Sequence, residues 1–172
     1  MKTKGLSRPV ILLGLFIASI FLASCRTEPI RLQSVGPPKS ISFAPGGTGY
    51  LAVYSETKPK RLDKGPPYYL HTSYIIQNES GQKVKWVPNH VGDMDQQPQV
   101  ISLPAGKYEV IARSTSYGLV HVPVIVSSGQ KTEVHLDGYW KLPTNNLSAR
   151  DLVSLPDGEI VGWLAQRTPN SN

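Results

Sequence analysis

With a single cysteine in 172 residues, the chain cannot form an internal disulfide or a Cys-rich zinc site. Charged residues make up 17%, below the usual quarter, which excludes a disordered polyelectrolyte. The sequence has no Gly-x-Ser-x-Gly elbow, no His-Glu-x-x-His pair and no Gly-rich phosphate loop, so acyl transfer, zinc hydrolysis and nucleotide chemistry lack their recognisable parts. The expectation is a protein that is not an enzyme and carries no cofactor. What the chain does have is 15 Gly and 15 Pro, enough to punctuate one ordinary domain.

The N-terminus reads as an address. Lys2, Lys4 and Arg8 precede an uncharged run of 13 residues, Val10 to Leu22, which fits the core of a secretory signal. As a helix it would span only about 20 Å, against a hydrocarbon core ~30 Å thick. The run ends in Leu22-Ala23-Ser24-Cys25, which resembles the lipobox of bacterial lipoproteins. That resemblance implies a signal peptide over 1–24 and a covalent lipid on Cys25, with acyl chains of the palmitate type holding the mature chain on a membrane. Several acyl chains on one residue supply the multiple anchoring signals that stable retention requires. The implied location is the cell envelope. Arg26 stands where some envelope lipoproteins carry an inner-membrane retention Asp, so the outer membrane is open to it if the organism has one.

Removal of 1–24 takes three of the 18 basic residues and none of the 12 acidic ones, so the formal charge falls from +6 to 15 against 12, or +3. The case for a nucleic-acid partner therefore largely disappears. Residues 25–48 hold Pro29, Pro37, Pro38, Pro45, Gly36, Gly46 and Gly47 with little apolar periodicity, and read as a tether, with a first strand possible within residues 39–43.

From Gly49 onward apolar residues recur every second position in short runs bounded by turn residues, the pattern of an all-β domain over 49–138. The runs are Tyr50 to Tyr54, Tyr69 to Gln77, Gln82 to Val87, Gln99 to Leu103, Lys107 to Arg113, a Val120-to-Val126 strand and a return through Thr132, Val134 and Leu136. The Lys/Pro-rich stretch 55–67 between the first two breaks any strand. Alternation places Val84 and Trp86 inward, and Tyr108, Val110 and Ala112 on the core face. Pro123 lacks an N–H and marks its strand as an edge. About seven strands at this spacing predict a Greek-key-like β-sandwich.

Residues 101–138, with Leu103-Pro104-Ala105-Gly106-Lys107-Tyr108 and the Gly129-x-x-Thr132-x-Val134-x-Leu136 ending, look like the second half of the carboxypeptidase-regulatory-like, transthyretin-like and PEGA-type β-sandwich modules of bacterial envelope proteins. The resemblance implies a fold and supplies no site motif. Beyond it, residues 139–165 form an extension in which Pro156-Asp157-Gly158 turns a C-terminal hairpin, with a short helix over 148–155 as the alternative. Ile160, Trp163 and Leu164 are too apolar to stay in solvent, so this hairpin packs on the sandwich or completes its sheet. Residues 166–172 read as a disordered tail.

Three groups of residues are candidate sites. His121 and His135 fall opposite one another if Ser127-Ser128-Gly129 closes a hairpin, near enough to share a metal, though two solvent-facing polar residues on a sheet are the preferred reading and no metal is expected. Asn89 to Asp95 gathers an imidazole and two carboxylates, without the spacing of an EF-hand loop. Tyr68, Tyr69, Tyr139 and Trp140 flank strand ends and are candidates for a ligand surface. Together these observations lead to the expectation of a lipid-anchored, non-catalytic structural or interaction module that meets an envelope protein or cell-wall glycan. The alternatives are a carbohydrate- or peptidoglycan-binding lipoprotein, and less readily a metal-binding protein or enzyme.

Overall fold

A computed structural model describes residues 30–38, 46–61, 65–141 and 149–165. The proposed signal peptide, Leu22 to Cys25, the possible strand within 39–43 and the tail 166–172 lie outside the described residues. Thirteen strands are present among those described: β1 (Ile30–Arg31), β2 (Val35–Gly36), β3 (Thr48–Tyr54), β4 (Thr57–Lys60), β5 (Tyr68–His71), β6 (Tyr74–Asn78), β7 (Lys83–Val87), β8 (Ile101–Pro104), β9 (Gly106–Ser114), β10 (Gly118–Val126), β11 (Lys131–His135), β12 (Leu152–Ser154) and β13 (Ile160–Leu164). The only helical piece among them is a 3-10 turn, Ala149–Asp151, directly before β12.

The protein is all-β, and its sheets pack into a β-sandwich. One sheet runs β12-β13-β2-β10-β9-β6-β7, with β1 paired to β10 alongside β2, and the other runs β11-β3-β8. Val110, Val120, Val122, Val124 and Val126 from the larger sheet meet Leu51, Val53, Val134, Ile101 and Leu103 from the smaller in one buried cluster. Each such side chain contributes about 1.5–3 kcal/mol by leaving water. The four valines of β10 sit at alternate positions, so the strand's sequence alone specifies its buried face.

Several sequence expectations are corrected by pairing. Within the stretch read as a tether, residues 30–36 enter the larger sheet: β1 and β2 both run parallel to β10, and Val35 is fully buried. β10 is consequently an interior strand. The His121 carbonyl accepts the Leu32 N–H at 3.0 Å, and alternate residues of a strand point their backbone groups the same way. Pro123 therefore turns its missing N–H toward the gap between β1 and β2, after Arg31↔His121 and before Val35↔Val124. A proline is tolerated inside the sheet because the neighbouring strand is interrupted beside it.

The Lys/Pro-rich stretch does contain a strand, β4, which pairs with β5 as a two-stranded ribbon. The single strand expected over Tyr69 to Gln77 is broken at Thr72 and Ser73. There the Thr72 carbonyl accepts from Ser55 Oγ at 2.6 Å and Asn89 Nδ2 at 3.2 Å, while its N–H donates to Glu56 O at 2.8 Å. Side chains hold backbone groups that a continuous ladder would use, and the chain changes sheets. Val84 and Trp86 face outward, not inward. Tyr74 pairs with Val87, so Val87 takes the buried position on this edge strand and Trp86 opposes Ile75 on the other face. The C-terminal hairpin β12–β13 forms and completes the larger sheet through β2, in place of the alternative helix.

Candidate binding surface

The connection after β10 does not close a hairpin. β11 crosses to the other sheet and runs parallel to β3, from Lys131↔Tyr50 to His135↔Tyr54, and the Thr132 hydroxyl ties the crossing by donating to Ile125 O at 2.7 Å. His121 and His135 are thus placed on different sheets, and their proposed sharing of a metal is overturned. His121 stands on the outer face of the larger sheet with Nδ1 3.1 Å from Glu109 Oε2, in ion-pair range but without hydrogen-bond geometry. Among the described residues no three His, Cys, Asp or Glu side chains converge as a metal ligand set. In the 89–95 loop, Asp93 instead bonds Lys60 at 2.6 Å, which holds its carboxyl below the ordinary range, and Asp95 caps the Gln97 N–H at 2.9 Å.

His135 lies flat between two rings. Tyr54 stacks on one side at 4.4 Å and Trp140 on the other at 4.5 Å, while Trp140 meets Trp163 edge-on at 6.0 Å and Tyr54 meets His71 edge-on at 5.7 Å. Each pair adds about 0.5–1.5 kcal/mol beyond burial. Trp140 thus spends a ring face inside the fold, whereas Tyr139 and Tyr69 are exposed; none of Tyr68, Tyr69 and Tyr139 joins a ring contact among the described residues. The four residues read as one aromatic ligand surface are therefore not united by stacking.

Burial pushes the His135 imidazole below its ordinary pKa of 6.5, with nearby Glu133 and Asp137 pulling weakly upward and Lys131 and His71 pulling down. Its Nε2 is buried without a hydrogen-bond partner and lies 3.9 Å from Glu133 Oε2. The folded state thus holds His135 neutral where the unfolded chain would already take up a proton. Stability is expected to be full above 6.5 and to fall as pH drops through it, by at most about 1.4 kcal/mol per pH unit for one proton. Urea melts of the native protein and of His135→Phe, compared across this range, check it: the variant keeps the stack and is expected to lose this pH dependence.

A cavity of about 290 Å³ opens between the β4–β5 ribbon and the end of β7, lined by Lys58, Lys60, His71, Trp86 and His90 among others. His71 Nδ1 lies 2.7 Å from Ser55 O. A carbonyl can only accept, so Nδ1 carries the hydrogen of this bond. No carboxylate lines this groove, and Trp86 gives it a half-exposed indole wall. These residues were not singled out in the sequence because Lys58 and Lys60 sit in a stretch that reads as a broken loop, and Trp86 alternates as though buried.

The groove lies at one end of a continuous row. Register aligns Arg31 with His121, His121 with Ile111, Ile111 with Ile75 and Ile75 with Trp86, straight across β1, β10, β9, β6 and β7 on the outer face of the larger sheet. Trp86, Leu119 and Val84 on this face are 52%, 49% and 46% exposed.

No family model, no curated protein and no solved structure matches the chain.

Proposed function

We propose that this chain is a lipid-anchored lipoprotein of a bacterial cell envelope, in the outer membrane where the organism has one, and that its β-sandwich is a non-catalytic binding module related to the carboxypeptidase-regulatory-like and PEGA-type domains. The observation that carries the reading is the Leu22-Ala23-Ser24-Cys25 ending of a 13-residue apolar run, using the only cysteine in the chain. The all-β fold and the outer face of the larger sheet, which no other sheet of the described residues covers, support it, since such a face is available to a partner. Cys25 carries the lipid, Leu22, Ala23 and Ser24 present the cleavage site, and the membrane is the first partner. An envelope protein or cell-wall glycan would be the second.

Growth with an alkyne-tagged fatty acid followed by membrane fractionation tests the anchor. The native chain is expected to carry label and to sediment with membranes after cleavage before Cys25. Cys25→Ala is expected to lose all label and to keep its signal segment. Label retained in Cys25→Ala, or a native chain cleaved elsewhere, overturns the reading.

A further inference from the structure

We propose that the outer face of the larger sheet, from Arg31 on β1 to Trp86 on β7, lies against the surface of the membrane to which the chain is anchored, with the groove beside Trp86 receiving anionic lipid headgroups. This rests on the lipid-anchored reading and adds to it an orientation and a ligand class.

The first argument is distance along the chain. Cys25 and Ile30 are five residues apart, which allows a reach of at most about 18 Å. Because β1 is the first strand of the described residues and is paired within the larger sheet, this sheet is held next to the lipid. The Arg31-to-Trp86 row begins at the anchored end and crosses four strand spacings, roughly 19 Å in all.

The second argument is what the face displays. Trp86, Leu119 and Val84 stand out from it, with Ile75 and Ile111 half-buried between them. An indole at such a position, apolar in body and polar at its N–H, suits the boundary between headgroups and acyl chains.

The third argument is charge. Glu109 lies within ion-pair distance of Arg31 and His121, Glu56 of Arg113, and Glu79 of Lys107. Each of these carboxylates is thus matched by a cation; beside the groove Asp93 is paired with Lys60, while Asp95 caps the Gln97 N–H. Lys83, opposite Gln77 on this face of β7, and Lys58 in the groove make no ion pair among the described residues. The surplus is positive and gathers around Trp86, which complements phosphate-bearing lipids.

The acylated protein, reconstituted into vesicles of phosphatidylcholine with or without phosphatidylglycerol, provides the test. Mass spectrometry reads the acylation, and lipids carrying a spin label at the acyl-chain boundary read tryptophan proximity. Quenching is expected in the phosphatidylglycerol vesicles, weakening as salt is raised. The fluorescence left in Trp86→Phe, from Trp140 and Trp163, is expected to stay unquenched. Lys58→Gln and Lys83→Gln are each expected to lower the docked-to-undocked ratio about fivefold, the equivalent of ~1 kcal/mol per basic residue at an anionic surface. Val84→Glu, on an exposed site that leaves the circular dichroism spectrum unchanged, is expected to abolish quenching with Trp86 still present.

An acylated protein whose Trp86 stays open to aqueous iodide in the vesicles overturns the docking and leaves the anchor standing. A mature chain without the lipid overturns both. Protection of Trp86 by soluble wall glycan, equal with and without vesicles, assigns the groove to a saccharide and overturns the lipid assignment.

Discussion

Asn89→Ala is expected to cost about 3–5 kcal/mol of folding free energy, a loss reserved for substitutions that orphan buried polar groups. Asn89 is fully buried and is the one non-glycine residue with positive φ among those described, at 69°. Its amide nitrogen donates toward Val53 O at 2.8 Å, Ser55 Oγ at 2.9 Å and Thr72 O at 3.2 Å, and its oxygen accepts the Gln99 N–H at 3.1 Å. One side chain thereby joins the end of β3, the break between β5 and β6, and the approach to β8. Alanine removes every bond and keeps the left-handed backbone, for which it has no local hydrogen bond to compensate. Asn89→Gly relieves the backbone cost only, so it is expected to remain at least about 2 kcal/mol below the native protein. Urea denaturation followed by far-ultraviolet circular dichroism measures both. A loss under about 1 kcal/mol for the alanine variant would show that these contacts are replaced by water.

Gly49→Ala is expected to destabilise by about 3 kcal/mol or more, for a reason of space alone. A Cβ at this position on β3 would overlap the Ser127 carbonyl oxygen and approach Val126 Cγ1 to 2.7 Å. The obstacle is backbone that closes β10, so no flexible side-chain end can move aside. Gly158, in the C-terminal turn, offers the contrast: its φ is +90° with nothing within 4 Å of an added Cβ. Gly158→Ala meets only the left-handed penalty of roughly 1–2 kcal/mol. Thermal melts of the two variants should rank them in that order, and the reverse ranking would contradict the close approach of β3 to the end of β10.

The all-β class was legible because alternation is local: the valines of β10 and the Asp157-Gly158 turn speak for themselves. Sheet membership was not. Val120 to Val126 and Thr132 to Leu136 read as neighbours because they are close in sequence and joined by a turn, yet β11 pairs with β3 some eighty residues earlier. Nothing in the local pattern distinguishes a turn that closes a hairpin from one that crosses a sandwich. Residues 30–36 failed differently. Two strands of two residues each are too short for periodicity to register among prolines and glycines. The groove was missed on both counts, since it needs a ribbon hidden in a proline-rich stretch and a tryptophan whose direction is fixed by Tyr74 opposite Val87.

The position of β2 also imposes an order of assembly. The β12–β13 hairpin reaches the rest of its sheet through β2, and β2 reaches it through β10. In a chain made from its N-terminus, residues 35 and 36 must wait for β10 before they have a partner, and the last hairpin must wait for them. Closure over such sequence separations is slow, because chain entropy is lost before contacts repay it. Until it happens β10 exposes an unpaired valine-rich edge, the sort of edge that recruits other chains. The four strand residues of β1 and β2 therefore act late in folding as a seal, and a chain shortened past Val35 should aggregate during refolding before it shows any loss of secondary structure in the sandwich's smaller sheet.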